Sequence, residues 1–114
     1  MDNSHQIALF DRVYQSIAHL SNVNKGKFFG VDVVRAKGQM FVLVTPSGRL
    51  AIRALESLFM DELKAQPNAE VWQHHGKNMS QWVMLDDQFE PEQPEVQDWL
   101  NRAYQQASHI ELSH

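Results

Sequence analysis

Cysteine is absent from this 114-residue chain. Its absence excludes disulfide frameworks, thiolate nucleophiles and zinc sites that need sulfur, and it suits a reducing compartment. Glycine (5) and proline (4) are sparse, which excludes collagen-like and low-complexity architectures. No apolar run approaches the ~18 residues a membrane span requires. The polar start Met1-Asp2-Asn3-Ser4-His5 lacks the basic-then-apolar profile of a secretory leader. These absences lead to the expectation of a cytoplasmic protein without membrane contact. An overall cationic excess is also missing, since the net charge is −4, and this weighs against direct nucleic-acid binding.

Chemical motifs are equally scarce. The 6 histidines form no His-Glu-x-x-His or His-x-His arrangement, and adjacent His74 and His75 on one strand would point to opposite faces. Asp86, Asp87, Glu90 and Glu92 lack the glycine-punctuated spacing of a calcium loop. They read as a solvated loop whose charge also suits the start of the following helix. No serine stands in a Gly-x-Ser-x-Gly elbow, and Gly26, Gly30 and Gly38 form no phosphate-binding loop. No catalytic residue, metal or cofactor is therefore expected.

What is present is ordinary globular composition, 43% hydrophobic and 21% charged. That supports a single domain spanning 1–114 with its core at about 5–107, large enough to fold without staples. Charge is distributed unevenly. Residues 25–53 carry Lys25, Lys27, Arg35, Lys37, Arg49 and Arg53 against Asp32 alone, whereas residues 85–98 hold Asp86, Asp87, Glu90, Glu92, Glu95 and Asp98 with no basic residue. The basic segment is a candidate surface for an anionic partner, or for the acidic pole of a second copy.

The periodicity of Ile7, Phe10, Val13, Tyr14, Ile17 and Leu20 predicts an amphipathic helix over Ser4–Leu20, with Ser4 as its cap. A three-stranded antiparallel meander follows: Phe28–Val34, Gln39–Thr45 and Arg49–Arg53. Its turns lie at Ala36-Lys37-Gly38 and Pro46-Ser47-Gly48. Ala54, Leu55, Leu58, Phe59 and Leu63 return to helical spacing, and Pro67 ends that helix. Glu70–His75 and Gln81–Leu85 read as a hairpin around Gly76-Lys77-Asn78. Pro94 starts a last helix with the stripe Val96, Trp99, Leu100, Ala103 and Ala107. Residues 108–114 read as a fraying tail. The fold class is α+β, one antiparallel sheet of about five strands with three helices packed on it.

In the middle strand, strict alternation sets Met40, Val42 and Val44 on one face and Phe41 and Leu43 on the other. Apolar side chains on both faces imply that both faces are covered. Phe41 and Leu43 are thus candidates for an interface with a second copy or a partner protein. Phe28, Phe29 and Phe41 beside the basic residues meet the pattern of a nucleic-acid platform only loosely. Trp72, Trp82 and Trp99 read as core or interface material.

Lys27-Phe28-Phe29-Gly30, Gly38-Gln39-Met40-Phe41 and Arg49-Leu50-Ala51-Ile52-Arg53 resemble the N-terminal domain of TfoX/Sxy proteins. Gly76-Lys77-Asn78-Met79 with Trp82-Val83-Met84-Leu85 is similar to that family's second hairpin, and Trp99-Leu100-Asn101-Arg102-Ala103 to its closing helix. The resemblance spans residues 8–107. It departs at Phe28, where methionine is usual, and at Ala51, where an aromatic is common. It implies an α+β interaction or regulatory module associated with competence or transcription, and it carries over no catalytic residues. The other expectation is a small ligand-binding protein or enzyme, with an anion pocket lined by the meander's basic residues. Lys27, Arg35, Arg49 and Arg53 are the candidate anion or partner contacts under either expectation.

Overall fold

A computed structural model describes residues 4–28, 30–74 and 76–109. Phe29, His75 and the tail 110–114, on which expectations rest above, lie outside the described residues. Three helices, α1 (Ser4–Ile17), α2 (Ser57–Lys64) and α3 (Pro94–Ser108), are interspersed with six strands. The strands are β1 (Val23–Phe28), β2 (Val31–Ala36), β3 (Gln39–Val44), β4 (Leu50–Arg53), β5 (Glu70–His74) and β6 (Lys77–Met84). They form one sheet in the order β1-β2-β3-β4-β6-β5, antiparallel at every pairing.

The α+β class holds, but the sheet has six strands rather than about five. The expected strand Phe28–Val34 is in fact the end of β1 and the start of β2, joined at a tight turn containing Gly30 (φ 82°). β1 therefore forms where a turn was expected, at Asn24-Lys25-Gly26. Its residues are half polar because it is an edge strand, and edge strands are often blunted by lysine. Lys37 and Gly38 both have positive φ (51° and 83°). That pair gives the two-residue turn whose twist matches the flanking strands.

The helices cover one face. Phe10, Val13 and Ile17 of α1, Phe59 and Leu63 of α2, and the whole expected α3 stripe are buried against Val34, Val42, Val44, Leu50, Ile52, Val83 and Leu85. Two helical expectations are corrected. α1 ends at Ile17, and Leu20 only closes its last turn, its backbone N–H donating a hydrogen bond to the Ile17 carbonyl. α2 begins at Ser57, because the Ala54 amide still donates to Gln81 of β6, and Leu58 is 81% exposed.

The opposite face carries its own small core of Val31, Val33, Leu43, Ala51, Trp72 and Trp82. The two indoles meet edge to face at 6.0 Å. Phe28, Met40, Met79 and Met84 lean in at its margin. Val33, Leu43 and Ala51 are 0% exposed within one chain, so this face is not bare.

Candidate functional site

Two irregularities in the sheet shape the site. In the first, Val34 pairs with Val42 while the next residue, Arg35, pairs with Met40. Phe41 is left over as a bulge residue, and a bulge breaks the strict alternation of faces. Phe41 therefore joins Val42 and Val44 on the helical side, edge to face with Tyr104 at 5.8 Å, while Met40 and Leu43 share the other face. This corrects the placement of Phe41 beside Leu43. Both residues are 0% exposed, so neither offers side-chain surface to a partner.

In the second irregularity, Val71 pairs with Val83 but Gln73 pairs with Asn78. β6 thus advances further than β5 between those pairings, and the segment around Met79, Ser80 and Gln81 departs from the ladder. Between the two irregularities, on the face away from the helices, opens a cleft of about 590 Å³. Arg35, Gly38, Gln39 and Met40 form one wall, and Arg53 with Met79–Trp82 forms the other.

Strand order sets the two arginines on β2 and β4, to either side of β3. Arg35 pairs with Met40, and Arg53 pairs with Trp82. The guanidinium of Arg53 reaches back over the strands. Nε and Nη2 donate to Gln81 Oε1 at 3.1 and 3.0 Å, and Nη1 donates to the Met40 carbonyl at 3.3 Å. A guanidinium has five N–H groups, so one remains on each terminal nitrogen. Arg35 donates from Nη2 to the Lys27 carbonyl at 3.0 Å. All these acceptors are neutral. Among the described residues, the ion pairs involve Arg12, Lys27, Arg49 and Arg102, and no carboxylate pairs with Arg35 or Arg53. Burial lowers the Arg53 pKa from its ordinary value, since charge is disfavoured where water is displaced. The group remains a cation at any physiological pH.

The other candidates lie elsewhere. Lys27 is paired across the β1–β2 hairpin with Asp32 at 2.7 Å. Arg49 is a structural clamp. It donates to the Leu85 carbonyl (2.7 Å), the Asn68 carbonyl (2.9 Å) and Glu70 (3.1 Å), tying the start of β4 to β5 and the end of β6. The structure thus gathers Arg35 and Arg53 into one site and assigns Lys27 and Arg49 to other contacts. The sequence marks Trp82 as core or interface material and carries no signal for Met79 or Gln81.

Among the described residues, no group of three or more histidine, aspartate or glutamate side chains is placed to hold a metal ion. No described helix is long and apolar enough to cross a membrane. What the cleft can do chemically is bind an oxyanion by charge-assisted hydrogen bonds, with thioether and indole groups beside it for an apolar portion. No protein-family model matches the chain, and no curated protein or solved structure matches it.

Proposed function

We propose that the protein is a non-enzymatic interaction module, akin to the N-terminal domain of TfoX/Sxy regulators, that docks an anionic region of a protein partner at the Arg35–Arg53 cleft. One observation carries this reading: two arginines, on β2 and β4 to either side of β3, line a single open cleft with only neutral groups as partners. A guanidinium held by neutral acceptors gains most from an incoming carboxylate, because charge-assisted bonds are about twice as strong as neutral ones. The apolar second face contributes little to docking, because Trp72 and Trp82 already cover it. The regulatory part of the proposal, transcriptional or competence control, draws on the motif resemblance.

Affinity capture from the native cell, run in parallel with the wild type and the Arg35→Ala/Arg53→Ala double variant, tests the reading. A partner held by the wild type and lost by a folded double variant supports it. A partner set unchanged by the double substitution contradicts it. The second reading, a small-ligand protein, is favoured by the cleft volume, which falls within the range of small-molecule sites. Thermal stabilisation by an organic acid, abolished in Arg53→Ala, would select it.

A further inference from the structure

The cleft contains more than two cations. β6 passes through its wall in the interval where β5 no longer pairs with it, between the Val71–Val83 and Gln73–Asn78 pairings. On its other side, β4 pairs with β6 only as far as Arg53–Trp82, with one further bond from the Ala54 amide to the Gln81 carbonyl. Met79 and Ser80 therefore have no ladder partner on either side among the described residues, and both line the cleft. Main-chain groups at a sheet interruption are a template for another strand.

We infer that the occupant of the cleft is an extended acidic segment of the partner protein. Its main chain bonds to Met79 and Ser80 of β6, and a carboxylate side chain meets the guanidinium of Arg53, with Arg35 adding positive charge on the opposite wall. This rests on the function proposed above. Arg53 keeps one N–H on each terminal nitrogen for a charge-assisted bond to a carboxylate. Met40 and Met79 adapt to whatever apolar side chain follows along the segment. A free phosphate or small dicarboxylate would use the arginines and leave the β6 main chain idle. Single-stranded nucleic acid needs an open aromatic face on which to stack, and Trp82 is only 4% exposed.

The test is fluorescence anisotropy with a short, end-capped, dye-labelled peptide alternating glutamate and valine. The comparison probes are its glutamine counterpart and a version N-methylated at alternate residues. Glutarate and inorganic phosphate serve as competitors. The glutamate peptide is expected to bind, with the glutamine and N-methylated peptides each weaker by roughly tenfold. Arg53→Gln lowers affinity by a similar factor. Arg53→Lys, which keeps the charge but not the guanidinium, also binds several-fold more weakly than wild type. Glutarate or phosphate competing as well as the peptide itself, or N-methylation without effect, overturns the inference in favour of a small-anion site. Failure of the glutamate peptide to bind the folded protein overturns it as well. A small-anion outcome favours the second reading given above, whereas the proposed function stands or falls on whether native-partner capture depends on the two arginines.

Discussion

The guanidinium of Arg35 lies against Gly26 of the neighbouring strand so closely that a Cβ at position 26 would sit 1.8 Å from Nη1. Glycine normally weakens a strand, and here it makes room for the guanidinium of a residue that also lines the cleft. The obstructing atom is the far end of a flexible side chain, so Gly26→Ala is expected to fold with a melting temperature within a few degrees of wild type. The displaced Arg35 should nevertheless lower anion affinity several-fold. Thermal melting and peptide titration of the same variant check both halves of this expectation.

Phe41 belongs to the helical core, and its replacement should act on stability rather than on association. Phe41→Ala is expected to cost about 3–5 kcal/mol, the usual range for a large buried aromatic. Leu58→Ser, at an 81% exposed position, should stay within about 0.5 kcal/mol of wild type. Chemical denaturation of the two variants measures the contrast.

Glu62 joins α2 to α3. It accepts from the Trp99 indole at 2.9 Å and from Arg102 at 2.8 Å. Hydrogen bonding from Arg102, then from Trp99, lowers its carboxyl pKa below the ordinary value. A carboxylate depressed in the folded state contributes stability above the unfolded pKa and loses it as pH falls through the folded one. Glu62→Gln should therefore be less stable than wild type at neutral pH. The difference is expected to be only about 0.5–1 kcal/mol, because the Glu62 side chain is 43% exposed and solvent screens it. The gap should close as pH drops below about 4.5, the value of the unperturbed group. Melting curves of both proteins across pH read this out.

Arg12 of α1 grips Glu92 through Nε at 3.0 Å and Glu90 through Nη2 at 2.7 Å, fastening the loop before α3. All three side chains are more than 40% exposed, so Arg12→Ala should change global stability by less than about 1 kcal/mol. Its effect should be local. Amide exchange between Asp86 and Gln93 is expected to quicken in the variant, and in wild type at high salt.

Much of this architecture is legible in the residues. The α3 stripe from Val96 to Ala107 lies buried as its spacing demands, and Pro94 opens that helix. The apolar run of β3 sits centrally with both faces covered. β1 is not legible, because Asn24, Lys25 and Lys27 are poor strand formers that are tolerated only at an edge. The bulge at Phe41 is invisible for a different reason. It depends on the register that β2 and β3 adopt together, which a period-two reading of one strand cannot contain. The basic segment did contain the two arginines that line the cleft. Separating Arg35 and Arg53 from Arg49 and Lys27 required knowing that Glu70 and Asp32 fold back onto the latter pair.

The most direct measurement is a nuclear magnetic resonance titration of the ¹⁵N-labelled protein with the acidic peptide, following the Arg53 Nε–H, the Trp82 indole N–H and the amides of Met79 and Ser80. The account predicts that these resonances shift together and saturably, while the amides of α1 and α3 stay in place. Saturable shifts confined to the helical face, or none at the cleft in a folded protein, would contradict it.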